Sequence, residues 1–159
     1  MWFYKSREQS FMNAFFNSAA ALVLSASALA AQQGTPGLHF IENWDIDGDG
    51  QVTLAEATER RGDVFVSFDA DDNGSLSADE YVLFDEARAN DMQANAGAQG
   101  APNKALQEAV AGMSLSFNDA DGDGAVSEAE FIDGTAAWIT RMDRNADGVV
   151  TSADFTPRG

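Results

Sequence analysis

The stretch DIDGDGQVTLAE, residues 45–56, decides how this chain folds. Acidic side chains stand at its first, third, fifth and twelfth positions, with glycine sixth, an aliphatic residue eighth and a hydroxyl ninth. Three more segments align with it without a gap: DADDNGSLSADE from Asp69, DADGDGAVSEAE from Asp119 and DRNADGVVTSAD from Asp143. A repeat in fixed register outranks any element-by-element reading, because it defines the unit from which the fold is built. One Asp- and Gly-rich dodecamer reads as an acidic surface turn. Four in one chain, each with helix-like flanks, do not.

The four segments resemble the calcium loops of the EF-hand superfamily, and the resemblance covers nearly all of the chain after residue 30. The chemistry fits the spacing. A hard cation takes roughly six to eight oxygen ligands at about 2.3–2.6 Å. Positions 1, 3 and 5 bring short oxygen-bearing side chains inward as the backbone wraps: Asp45, Asp47 and Asp49; Asp69, Asp71 and Asn73; Asp119, Asp121 and Asp123; Asp143, Asn145 and Asp147. Position 6 needs a turn that glycine makes cheaply. Position 7 offers its carbonyl, so Gln51, Ser75, Ala125 and Val149 need no particular side chain. Position 9 (Thr53, Ser77, Ser127, Thr151) lends a hydroxyl or holds a water, and position 12 (Glu56, Glu80, Glu130, Asp154) closes the shell.

The loops are unequal. Loops 1 and 3 carry four carboxylates each, loop 2 carries three and an amide, and Asp72 at position 4 of loop 2 points to solvent. Loop 4 closes with Asp154, one methylene short of glutamate, and has Arg144 at position 2. A shorter closing side chain reaches with one oxygen, which favours a smaller octahedral ion such as Mg²⁺. The expected cofactors are therefore up to four Ca²⁺, with loop 4 weakest.

Spacing sets the architecture. Loops 1 and 2 start 24 residues apart, as do loops 3 and 4, leaving only residues 57–68 and 131–142 between them. One helix must leave the first loop and enter the second. Apolar positions agree: Leu54, Ala57, Val64, Phe65 and Phe68, then Phe131, Ile132, Thr135, Trp138, Ile139 and Met142. A straight helix of about 15 residues spans roughly 22 Å, so the loops it joins cannot pair. Pairing then crosses the halves, loop 1 with loop 4 and loop 2 with loop 3, setting Val52 beside Val150 and Leu76 beside Val126. A sharp kink at Gly62 and Gly134 is the alternative, and would set Val52 beside Leu76. The expected fold is all-α: four helix–loop–helix units in a compact bundle with two shared helices and short β contacts between paired loops. A helix over 38–44 enters loop 1, one over 78–90 leaves loop 2, residues 89–103 read as a flexible linker, and Asn103 caps a helix from Lys104 to Phe117 with Leu106, Val110, Met113 and Phe117 on one face. Units 1 and 2 occupy 36–90, and units 3 and 4 occupy 104–159. Asn118 precedes loop 3 where the other loops have Trp44, Phe68 and Met142.

Residues 1–30 form a charged start, an uncharged apolar run and the small-residue exit Ala28-Leu29-Ala30, the pattern of a secretory signal peptide. Asn17, Ser18, Ser25 and Ser27 interrupt the run and suit it poorly to spanning a bilayer. Cleavage after Ala30 leaves 31–159 as a single four-loop domain in the periplasm or outside the cell. It removes two basic residues and one acidic one, taking the formal charge from −17 to −18.

Composition narrows the function. Across 159 residues, 26 acidic groups against 9 basic ones repel nucleic acid and anionic membranes. The absence of cysteine excludes a disulfide framework and a thiolate metal site, and a single histidine excludes a multi-histidine centre. A 45% hydrophobic content argues for a packed domain over an acidic tail. The sequence contains no catalytic constellation; His39 reads as a surface or capping residue, so the protein is not an enzyme. The primary expectation is an exported calcium buffer, carrier or metal-ordered module. With only Met92, Met113 and Met142 left after residue 30, a Met-rich, partner-binding sensor groove is disfavoured. The export signal, four loops and tight spacing also resemble periplasmic proteins of the lanmodulin type, which implies lanthanide(III) ions as the alternative cargo. Two features depart from that type: Ile46, Ala70, Ala120 and Arg144 replace proline at position 2, and Thr or Ser replaces aspartate at position 9.

Overall fold

The computed structural model describes residues 35–96 and 103–156. The expected signal peptide (1–30) and the middle of the expected linker (97–102) lie outside them. The order is α1 (Leu38–Trp44), α2 (Leu54–Phe68), β1 (Ser75–Leu76), α3 (Ala78–Ala94), α4 (Lys104–Ala111), α5 (Leu115–Asn118), β2 (Val126–Ser127) and α6 (Glu128–Met142). Helices dominate, with two short strands among the described residues.

The two shared helices, α2 and α6, each run unbroken for 15 residues through Gly62 and Gly134. The loops at their ends pair across the halves. Val52 and Val150 form an antiparallel bridge, each amide donating to the other's carbonyl at 2.8 and 3.0 Å. Strands β1 and β2 pair antiparallel, Leu76 opposite Val126 and Ser75 opposite Ser127. All four aliphatic eighth residues are fully buried. The straight-helix arrangement holds, and the kinked alternative does not.

The core lies between α2 and α6, closed by α1, α3 and α4. Ala57 and Phe65 of α2 meet Phe131, Trp138, Ile139 and Met142 of α6, with Phe65 and Phe131 ring centroids 5.9 Å apart. Trp44 packs edge-on to Trp138 at 4.6 Å, and Phe68 meets Phe84 at 4.9 Å. Leu54, expected on the buried face of α2, is 45% exposed because it sits in the first turn, ahead of the contact with α6.

Two boundaries differ from the sequence expectation. Helix α3 continues to Ala94, past 90 and into the stretch read as linker; Met92, Gln93 and Ala94 are good helix formers that carry it on. The single helix expected over Lys104–Phe117 is broken into α4 and α5 at Gly112. The break has a physical cause. A Cβ at Gly112 would lie 1.9 Å from Cδ1 of Trp138, so the chain passes directly under the indole. The carbonyls freed there are taken by side chains: Trp138 Nε1 donates to Ala109 at 3.1 Å, Arg88 Nη2 to Val110 at 2.8 Å, Arg61 Nη1 to Gly112 at 3.2 Å, and the Tyr81 hydroxyl to Met113 at 3.0 Å. The buried face of α4 is consequently Ala105 and Ala109, with Leu106 packed beside the core.

Arg61 organises this junction. Its side chain is fully buried, and its Nε donates to the Phe131 carbonyl at 2.8 Å while Nη2 donates to Asn118 Oδ1 at 2.5 Å. The guanidinium lies 4.1 Å from the Phe131 ring centroid. Burial pulls its pKa down to about 10, which still leaves it charged at neutral pH. Replacement by an apolar residue strands the Asn118 oxygen and leaves the Gly112 carbonyl only the 3.3 Å bond from Asn118 Nδ2. Arg61→Met is expected to lower unfolding stability by about 3 kcal/mol, read as a reduced urea midpoint at unchanged slope.

Candidate metal centre

The four loops repeat one hydrogen-bonding scheme in which backbone amides surround the acidic side chains. The first residue accepts from the glycine amide at position 6: Asp45 from Gly50 at 2.7 Å, Asp69 from Gly74 at 2.8 Å, Asp119 from Gly124 at 3.1 Å and Asp143 from Gly148 at 2.8 Å. These glycines have φ of 87°, 78°, 88° and 94°, the left-handed region that a side chain would strain. The third residue accepts from the amide of the fifth: Asp47 from Asp49, Asp71 from Asn73, Asp121 from Asp123, Asn145 from Asp147. The fifth accepts from the seventh: Asp49 from Gln51, Asn73 from Ser75, Asp123 from Ala125, Asp147 from Val149.

The twelfth carboxylate acts as a clip. One Glu56 oxygen accepts from the Ile46 amide at 2.9 Å, and the other from the amide and hydroxyl of Thr53 at 2.9 and 2.7 Å. Glu80 does the same with Ala70 and Ser77, and Glu130 with Ala120 and Ser127. Thr53, Ser77 and Ser127 are also the N-caps of α2, α3 and α6, each completing a capping box with its glutamate. The ninth residue, read from sequence as a hydroxyl or water ligand, here caps a helix and fixes the closing carboxylate.

These bonds set the protonation of the clips. At Glu130 the amide and hydroxyl of Ser127, with the amides of Ala120 and Asp121, outweigh desolvation and hold the carboxyl at about 2. At Glu56 desolvation pulls upward, but the Thr53 amide and hydroxyl and the Ile46 and Asp47 amides bring it to about 2. Glu80 is also lowered, by Ser77 first. Asp47 moves the other way: the Asp49 amide pulls it down, but desolvation and the charges of Asp49, Glu56 and Asp45 hold it above its ordinary range. Crowded negative charge that raises a carboxyl is charge that a cation would relieve.

Three loops bring carboxylate oxygens together. Asp45, Asp47 and Glu56 each place one oxygen within 4.8 Å of the others; so do Asp69, Asp71 and Glu80, and Asp119, Asp121 and Glu130. Asp49 and Asp123 stand outside these triads. Among the described residues loop 4 forms no such triad, because its third position is Asn145, whose Nδ2 donates to Asp147 Oδ2 at 2.7 Å. Asp154 nonetheless holds the clip position, accepting from the amides of Arg144 and Thr151 at 2.9 Å each. Among the described residues no helix follows it; Phe155 packs instead against Gly37, the N-cap of α1, fully buried. Arg144 folds back to donate to the carbonyls of Asp154 and Thr156 at 3.1 Å each.

This donor set of hard oxygens in short acidic loops suits a hard cation.

A family model described as "EF hand" matches residues 62–84.

The match spans the end of α2, loop 2 and the start of α3, one helix–loop–helix unit. With the three acidic triads and the mostly helical fold, it supports an EF-hand fold and implies calcium binding. No curated protein matches the chain.

Sequence reasoning missed the left-handed backbone at position 4, where Gly48 and Gly122 alternate with Asp72 (φ 56°) and Ala146 (φ 60°). Glycine at two of the four positions was the available signal. Asp72 is exposed, as read from sequence.

Ser127→Ala removes both a helix cap and a donor to Glu130. In chelator it is expected to cost about 1 kcal/mol of stability. Because the wild-type carboxyl is held below its unfolded value, losing the hydroxyl must raise it, and the carboxyl NMR titration of Glu130 should move upward from about 2.

Proposed function

We propose that this protein is an exported calcium-binding protein that serves as a buffer, carrier or metal-ordered module, taking up to four ions with loop 4 the weakest. The observation that carries the reading is the convergence of first, third and twelfth carboxylate oxygens in loops 1, 2 and 3. Fourteen loop carboxylates repel one another until cations neutralise them, so binding and folding reinforce each other. In loop 4, Asn145 and the shorter Asp154 supply less charge, and Arg144 opposes a cation. The carbonyls of Gln51, Ser75, Ala125 and Val149 complete the proposed ligand sets. The signal peptide supports a periplasmic or secreted location, where calcium modules work at dissociation constants of about 10⁻⁴–10⁻³ M. No catalytic role is assigned. His39, the sole imidazole, is bonded to Asp91 at 2.7 Å, and among the described residues no helix is long and apolar enough to cross a membrane.

One titration tests the reading. After chelator treatment, helicity and Trp-sensitised terbium emission are followed under buffered free Ca²⁺ and La³⁺. Trp44 and Trp138 serve as donors because they flank loops 1 and 4. A response to micromolar or weaker calcium is expected, with Glu56→Gln and Glu130→Gln each lowering the calorimetric stoichiometry by one ion. Indifference to calcium with a response to trace lanthanum overturns it in favour of the lanthanide reading.

A further inference from the structure

Away from the loops, α1, α2, α3, α4 and α6 line a cavity of about 430 Å³ open to solvent, floored by Trp44, Trp138, Phe68, Phe84 and Met113. Its rim carries Arg60, Arg88, His39, Asp63 and Asp91. Most of these charges are already matched. Arg88 donates to Asp85 and to the Met113 and Val110 carbonyls, and His39 is bonded to Asp91 at 2.7 Å. Arg60 differs. It reaches Asp63 only at 3.8 Å, and its Nε is the one buried side-chain polar atom without a hydrogen-bond partner among the described residues. Its side chain is 41% exposed at the rim, so its outer guanidinium nitrogens are open to an oxygen from the cavity.

We propose that this cavity binds a small, mostly apolar organic molecule ending in an anionic oxygen group, its body against the aromatic floor and its oxygens on Arg60. The size and lining are those of small-molecule pockets, which run from about 300 to 1,000 Å³ with apolar walls and a few polar groups. The aromatic floor favours a ring-bearing body, stacked or edge-on. The site shares no side chain with the acidic triads, so it stands or falls apart from the metal reading.

The test uses the full chain and 8-anilinonaphthalene-1-sulfonate, a naphthalene body with one sulfonate. Saturable binding of one probe per chain is expected, with energy transfer from tryptophan. Arg60→Ala should weaken it about tenfold. Ala87→Trp, at an exposed position on the cavity wall, should abolish it. Both variants should melt where the parent does. Absence of saturable binding, or binding unchanged in both variants, overturns the proposal; so does uptake of an amphipathic helical peptide by a chain that excludes the probe.

Discussion

A straight 15-residue helix holds its two ends roughly 22 Å apart, and that distance governs the rest of this structure. Because α2 leaves loop 1 and enters loop 2, and α6 does the same for loops 3 and 4, no loop can reach its neighbour in sequence. Each finds its partner in the other half, through Val52 and Val150 or Leu76 and Val126. Neither half can bury its eighth residues alone. The two shared helices must therefore lie against each other, and their packing is the core.

The loops resolve a conflict that the packing creates. Holding four acidic dodecamers close together concentrates negative charge, and the backbone answers it locally with amides aimed at carboxylates. The clip glutamates gain most: one oxygen takes the amide of position 2, and the other takes the amide and hydroxyl of position 9 and completes the cap of the following helix. A loop so arranged has its carboxylates held in place by its own backbone amides. The charge left over, felt most at Asp47, is what a cation would neutralise.

Much of this was legible in the sequence. The register of the repeat gave the loops, their spacing gave the shared helices, and a length argument gave the cross-half pairing. What stayed hidden depended on contacts between distant residues. A glycine is a weak helix-stop signal, but nothing local requires α4 to end at Gly112 until Trp138 lies across it. The helix expected to run through it had sound apolar periodicity, and tertiary packing overrode that pattern. That no helix follows Asp154 among the described residues was equally hard to read, since Phe155 finds its place against Gly37, distant in sequence. The capping role of position 9 was missed for a different reason. A hydroxyl in a loop looks like a ligand, but three residues before a glutamate at a helix start it is also half of a capping box.

Arg61 shows why one departure from the repeat exists. Asn118 precedes loop 3 where the other loops have aromatic or apolar side chains, and the structure places a guanidinium in that slot. A buried cation is costly unless its donors are matched. Here the fork is met by the carbonyls of Phe131 and Gly112 and by Asn118 Oδ1, with the Phe131 ring beneath it. Lysine has a point charge and could not span those acceptors at once. Asn118 then turns its amide nitrogen to the Tyr81 hydroxyl at 2.9 Å, and Tyr81 in turn donates to Met113. Four elements from both halves meet through this chain of donors. An apolar residue at 118 would fill the space but take away one of the arginine's acceptors and the partner of Tyr81, so the polar residue that looks misplaced in one loop is what links α2, α3, α5 and α6 at one centre.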